Sequence, residues 1–163
     1  MIEAVFLDID GVLTDGAVYV DAAGHEIKRI SFEDIDAVFE LKRAGIKIGF
    51  ITGEANGFCR YVRERFAPDF FLEGCKDKLG AFKLLMRKAG LDESKVCYVG
   101  DSKKDVELLR YVASSFVPAD VDPGVKDSAK FVLKAGRGKG VIKEVAGHVL
   151  KPRAQRRKPP RAT

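Results

Sequence analysis

Two aspartates two residues apart, Asp8 and Asp10, stand directly after a short apolar run, Ala4-Val5-Phe6-Leu7. In extended backbone, positions two apart point the same way, so both carboxylates can face one volume. Like charges held together repel unless a cation neutralises them. A hard ion such as Mg2+ accepts one or two carboxylates together with water and phosphate oxygens. Gly11 follows and lets the chain turn sharply just past the pair. Further along, Thr52-Gly53 offers a hydroxyl and a backbone amide suited to a phosphate oxygen. Lys78 brings a compact positive charge to the start of a helical stretch, where anions are favoured. Gly100-Asp101-Ser102 carries another carboxylate able to close a metal site, and Asp105 lies one helical turn on.

The elements that must position these residues alternate along the chain. The continuous apolar run at 4–7 reads as a buried parallel strand, and 46–51, 70–72 and 96–99 as the second, third and fourth strands. Shorter strands are expected at 115–117 and 131–133. Helical spacing of apolar residues marks 34–44, 57–66, 78–89, 103–112 and 140–150, with Gly45 and Gly90 as stops. Residues 17–20 and 26–30 flank Asp21-Ala22-Ala23-Gly24 as a β-hairpin. Strand–helix alternation at this spacing predicts an α/β fold, a Rossmann-like three-layer sandwich around a central parallel sheet. In such sheets ligands bind beyond the carboxyl ends of the strands. A lone strand-end aspartate is commonly a helix cap or turn residue. Four successive strand ends bearing a carboxylate pair, a hydroxyl, a lysine and a carboxylate have no such structural explanation.

The chain has 163 residues, of which 46% are apolar and 33% charged, as expected of one globular domain. No apolar run reaches the roughly 20 residues of a membrane span. The amino end lacks a basic segment, so the expectation is a cytoplasmic protein without a signal peptide. The net charge of +5 belongs to residues 151–163, which hold six Lys/Arg and no acid; the remaining 23 basic and 24 acidic residues nearly cancel. That basic, Pro-rich tail is expected to be a disordered extension of a domain spanning 1–150, with no nucleic-acid or membrane partner implied. Cys59, Cys75 and Cys97 have no metal-ligand spacing and read as packing residues, and His25 and His148 as structural.

Over residues 1–150 the chain resembles the haloacid dehalogenase-like phosphatases. Asp8-Ile9-Asp10-Gly11-Val12-Leu13-Thr14-Asp15-Gly16 matches the first motif of that superfamily, and Thr52, Lys78 and Gly100-Asp101 match the second to fourth. The resemblance implies that Asp8 attacks phosphorus and that Asp10 is the general acid and base. It implies Thr52 and Lys78 as a clamp on the phosphoryl group. It further implies Mg2+ held by Asp8, the backbone carbonyl of Asp10 and Asp101, with Asp105 acting indirectly through Lys78 or a metal water. One departure is Ser102, where the fourth motif often carries a second aspartate.

Superfamily members usually carry a cap domain after the first or third strand. The segments 16–51 and 72–78 leave no room for one. This layout resembles the family of 3-deoxy-D-manno-octulosonate 8-phosphate (KDO-8-phosphate) phosphatases, capless homotetramers whose subunits close each other's sites. The shared features are Leu13-Thr14-Asp15-Gly16, the hairpin, Lys78-Leu79 and Gly136-Arg137-Gly138. Thr14 and Gly53 are implied as substrate-binding, and Arg137 as a clamp for a keto-acid carboxylate. Glu54 departs from that family, which typically has arginine there. It resembles relatives acting on nonulosonate (sialic acid) 9-phosphates, which pair the glutamate with a basic residue one helix later, a role open to Arg65. A phosphoacceptor receiver domain is excluded by order, since its aspartate ends the third strand, where Leu72-Glu73-Gly74 stands here. An inactive relative serving as an oligomerisation module would be expected to have lost Asp8 or Asp10.

Overall fold

The computed structural model describes residues 1–151. Strand β1 (Ala4–Leu7) leads through a wide turn at Ile9–Leu13 to a two-stranded antiparallel hairpin, β2 (Tyr19–Val20) and β3 (Glu26–Ile27). Then follow α1 (Phe32–Arg43), β4 (Lys47–Ile51), α2 (Gly57–Phe66), β5 (Phe70–Leu72) and α3 (Lys78–Ala89). The remainder comprises β6 (Val96–Val99), α4 (Val106–Tyr111), β7 (Ser114–Val117), a short α5 (Pro123–Lys126), β8 (Phe131–Val132) and α6 (Val141–Leu150). The basic tail anticipated at 151–163 falls, from residue 152 on, outside the described residues.

The six long-range strands form one parallel sheet in the order β5-β4-β1-β6-β7-β8. The chain walks outward from β1 to β5, then returns to the other side of β1. This reversal beside β1 is where an open α/β sheet presents a crevice. The strand period of two sorts the core. Val5, Leu7, Ile48, Phe50, Cys97 and Val99 face a layer made by α1, α2 and α6. Ala4, Phe6, Ile51, Val96 and Tyr98 face α3, α4 and α5. The result is the expected three-layer sandwich. Between β1 and β4 stand only the hairpin and α1, so no cap domain covers the strand ends there.

Several boundaries moved for identifiable reasons. α1 begins at Phe32, two residues before the expected Asp34, because Ser31 caps it: its Oγ accepts the Asp34 amide at 3.2 Å and donates to Asp34 Oδ2 at 2.9 Å. The fully buried Asp34 then accepts the amides of Ile142 (2.8 Å) and Lys143 (3.2 Å), capping α6 from a neighbouring helix. Gly140, at φ 89°, precedes α6 instead of starting it. The helix expected over 103–112 opens as a 3-10 turn, Lys103–Asp105, because Asp105 folds back onto the amides before it. The short α5 has no counterpart among the elements that the sequence predicts. Cys59 and Cys97 are buried and Cys75 half-buried, all three as free thiols. Among the described residues no helix is long and apolar enough to cross a membrane.

Candidate active site

The carboxyl ends of β1, β4 and β6 and the start of α3 converge on a cleft of about 220 Å³. It is lined by Asp8, Asp10, Thr52, Lys78, Asp101 and Arg137, with Gly16, Gly53, Glu54, Ser102 and Lys104 at its walls. Lys78 is buried at the bottom. Its Nζ lies 2.9 Å from Asp8 Oδ2 and 2.7 Å from Asp105 Oδ1. Asp105 has no oxygen to spare. Oδ1 also accepts the Tyr98 hydroxyl at 2.6 Å, while Oδ2 accepts the amides of Asp101 and Ser102, both at 3.0 Å. Asp105 therefore fixes Lys78 and the Asp101 backbone.

Gly11 is required twice over. Its φ of 83° is a left-handed value, and a Cβ there would lie 1.8 Å from Asp101 Oδ2. The absent side chain is what lets Asp101 reach beneath the turn that follows Asp8. Thr14 departs from expectation. It is fully buried, and its Oγ1 accepts the amides of Gly11 and Gly16, each at 3.2 Å. Its hydroxyl stabilises the turn and does not face the cleft, because the turn's inward amides need an acceptor more than the solvent side does. Thr52 is also buried, with Oγ1 accepting the Glu54 amide at 3.2 Å, but it borders the cleft.

The electrostatics are those of a site short of positive charge. Burial pushes the Asp8 carboxyl well above the usual carboxylate range; the Asp105 charge adds to this and Lys78 opposes it. Burial, with Asp105 again adding, pushes Asp101 up to about 6, against the pull of Arg137. For Asp105 burial works the same way, but Lys78 and the hydrogen bonds outweigh it and hold its carboxyl low. Burial also opposes the Lys78 charge, yet Asp8 and Asp105 on either side raise its affinity for the proton. Oxygens of Asp8, Asp101 and Asp105 lie within 4.8 Å of one another. One buried ammonium faces three carboxylates, two of them disfavoured as anions; the oxygens of Asp8 and Asp101, with Asp105 behind them, are donors that fit a hard divalent cation.

Arg137 reaches the cleft on a short leash. Its backbone amide donates to Asp120 Oδ1 at 2.9 Å, its Nε lies 3.6 Å from Asp120 Oδ2, and its Nη1 lies 3.6 Å from Asp101 Oδ2. Gly138 beside it, at φ 72°, packs where a Cβ would be 2.4 Å from that of Asp15. Glu54 lies at the wall of the cleft. Arg65 does not: it is exposed in the last turn of α2 and absent from the lining, while Arg63 of that helix pairs with Glu73 at 2.9 Å. Sequence reasoning missed Lys28, whose Nζ meets Asp10 Oδ1 at 2.7 Å, and Asp120 and Tyr98, which hold Arg137 and Asp105. None stands in a local pattern that distinguishes it from a surface or core residue.

A carboxylate with a buried lysine beside it, a second carboxylate two residues on and a cation-binding group behind is a phosphoryl-transfer site. Comparison with known proteins agrees. A family model described as haloacid dehalogenase-like hydrolase matches residues 70–145. The 3-deoxy-D-manno-octulosonate 8-phosphate phosphatase KdsC of Haemophilus influenzae is 31% identical over 149 residues, spanning 91% of this chain and 83% of the relative. That of Escherichia coli K12 is 30% identical over 152 residues, spanning 91% and 79%. The Moraxella catarrhalis phosphatase, solved with magnesium, phosphate and KDO, superposes with a TM-score of 0.86 at 25% identity, over 91% of this chain and 86% of that one. The cobalt-bound H. influenzae structure gives 0.85 at 31% identity, over 91% and 87%. The chain belongs to the haloacid dehalogenase-like hydrolases, as a phosphatase of the KDO-8-phosphate phosphatase family.

Proposed function

We propose that this chain, as a cytoplasmic enzyme, hydrolyses KDO-8-phosphate to KDO and phosphate through an aspartyl-phosphate on Asp8. The observation that carries the reading is the Asp8–Lys78 contact of 2.9 Å at the floor of a cleft bordered by Thr52, Asp101 and Arg137. Asp8 Oδ2 forms the new bond to phosphorus as the bond to the sugar oxygen breaks. Asp10 gives its proton to that leaving oxygen. It then takes one from the water that attacks phosphorus and breaks the aspartyl bond, which regenerates Asp8. Lys78, the Thr52 hydroxyl and the Gly53 amide hold the phosphoryl oxygens. Asp8, the Asp10 backbone carbonyl and Asp101, with Asp105 behind them, would hold Mg2+, which would neutralise the phosphoryl charge.

Arg137, already oriented by Asp120, takes the carboxylate of the keto-sugar acid. The cleft stays open at its mouth, so a homotetramer with intersubunit capping closes it. Val18, Tyr19, Val20 and Ile27 on the hairpin are exposed apolar residues suited to meet another subunit. Residues 1–150 act as the catalytic domain.

A second reading, a nonulosonate 9-phosphate, rests on Glu54 standing at the cleft wall where an arginine is typical of the family. Arg65 of the same chain is exposed and does not line the cleft beside it. Both readings are tested by phosphate release, with Mg2+, from KDO-8-phosphate and a sialic acid 9-phosphate side by side. Preference for the first supports Arg137 as the specificity guide, and preference for the second supports Glu54. Turnover of neither, with good turnover of an aryl phosphate, would discard the sugar-acid class and keep the chemistry.

A further inference from the structure

Lys28 lies one residue past β3, on a hairpin whose other side chains are mostly exposed, yet its own side chain is only 6% exposed. It is turned inward, with Nζ 2.7 Å from Asp10 Oδ1 and 5.2 Å from the centre of the Phe58 ring. The two residues that follow are tied to the loops of the site as well. Arg29 Nη1 donates to the Gly138 carbonyl at 3.0 Å, and Ile30 forms a β-bridge with Thr14 beneath the Asp8 turn. A swinging surface lysine would not need such anchoring. Burying an ammonium and the rotamers behind it costs free energy that one exposed ion pair would not return.

We propose that Lys28 is a positioning residue for the proton shuttle: it fixes Oδ1 of Asp10, which sets the other carboxyl oxygen toward the reacting phosphoryl group. This rests on the reading of Asp10 as acid and base. Free to rotate, that carboxyl would spend part of its time turned from the leaving oxygen, and misplacement of a catalytic group by an ångström is costly. Lys28 itself touches no reacting atom. The hairpin supplies it, so the hairpin's seat on the body of the protein sets the aim of Asp10.

The test uses the full chain with Mg2+ and a series of aryl phosphates, from dinitrophenyl to unsubstituted phenyl, read as kcat/KM. A good leaving group needs no proton and a poor one does. Lys28→Met is expected to lose roughly 10- to 100-fold on phenyl phosphate, a part of what a general acid contributes. On the dinitrophenyl ester its loss should stay within about threefold, so the leaving-group dependence steepens toward that of Asp10→Asn. Lys28→Arg should recover most of the loss. An unchanged Mg2+-induced rise in melting temperature serves as the control for the fold. Should Lys28→Met fail to melt cooperatively, Lys28→Gln carries the same comparison. A uniform loss across the series, or none, with Asp10→Asn still steep, overturns the role of Lys28. A flat response from Asp10→Asn itself overturns the acid–base reading instead.

Discussion

Replacing Asp101 by asparagine should make the metal-free protein more stable while destroying its response to Mg2+. Asp101 is 9% exposed, and its carboxyl is pushed from 3.8 up to about 6 by burial and by Asp105. Each pKa unit corresponds to about 1.4 kcal/mol, so the folded state disfavours the Asp101 anion by about 2–3 kcal/mol after a modest allowance for screening. The sign follows from linkage. The folded-state value lies above the unfolded one, so this carboxyl favours folding below about pH 4, and the contribution is lost as pH rises through about 6. Asparagine stands in for the protonated form at every pH. In EDTA near neutral pH, Asp101→Asn should therefore melt roughly 4–12 °C above wild type, at about 2–4 °C per kcal/mol for a chain of this size. The gap should close on acidification toward about pH 4. Added Mg2+ should raise the wild-type melting temperature and leave the variant where it was. Thermal melts over pH, with EDTA and with Mg2+, check all of this. A variant less stable than wild type in EDTA near neutral pH, or equally stabilised by Mg2+, would refute the idea that Asp101 waits for a cation.

Two further outcomes follow from the packing. Gly11→Ala places a methyl group 1.8 Å from Asp101 Oδ2 at a left-handed φ; it should cost about 1–2 kcal/mol from the backbone alone and abolish both phosphate release and Mg2+ stabilisation, read by melts and a phosphate assay. Lys78→Met leaves buried Asp8 and Asp105 without their shared cation, which should cost about 3–5 kcal/mol and lower the melting temperature by roughly 6–20 °C in EDTA, in addition to eliminating turnover.

The strand ends were legible in the sequence because strands have a period and ends, and polar residues at those ends of buried strands have few other reasons to be there. Asp8, Thr52, Lys78 and Asp101 do meet in one cleft. The layer order was legible from alternation alone. What stayed hidden depended on how separate segments lie across one another. Lys28 sits in a hairpin pattern that reads as surface, and only the fold-back of that hairpin brings its amine to Asp10. Thr14 carries the right hydroxyl in the right motif, but the turn points it inward onto the amides of Gly11 and Gly16. Arg65 enters only through the resemblance to nonulosonate 9-phosphate relatives, and the rotation of α2 leaves it exposed and away from the cleft lining. The early start of α1 did have a local signal, a serine three residues before an aspartate, which is a helix-capping pattern.

The central claim is a phosphoryl group carried on Asp8, and acid-quenching the enzyme during turnover of an aryl phosphate with Mg2+ tests it most directly. The peptide spanning Asp8 should gain the mass of one phosphoryl group early in the reaction, and Asp8→Asn should show neither that adduct nor phosphate release while melting as a folded protein. Mg2+-dependent turnover by Asp8→Asn, or a phosphoryl group found on any other residue, would contradict the account.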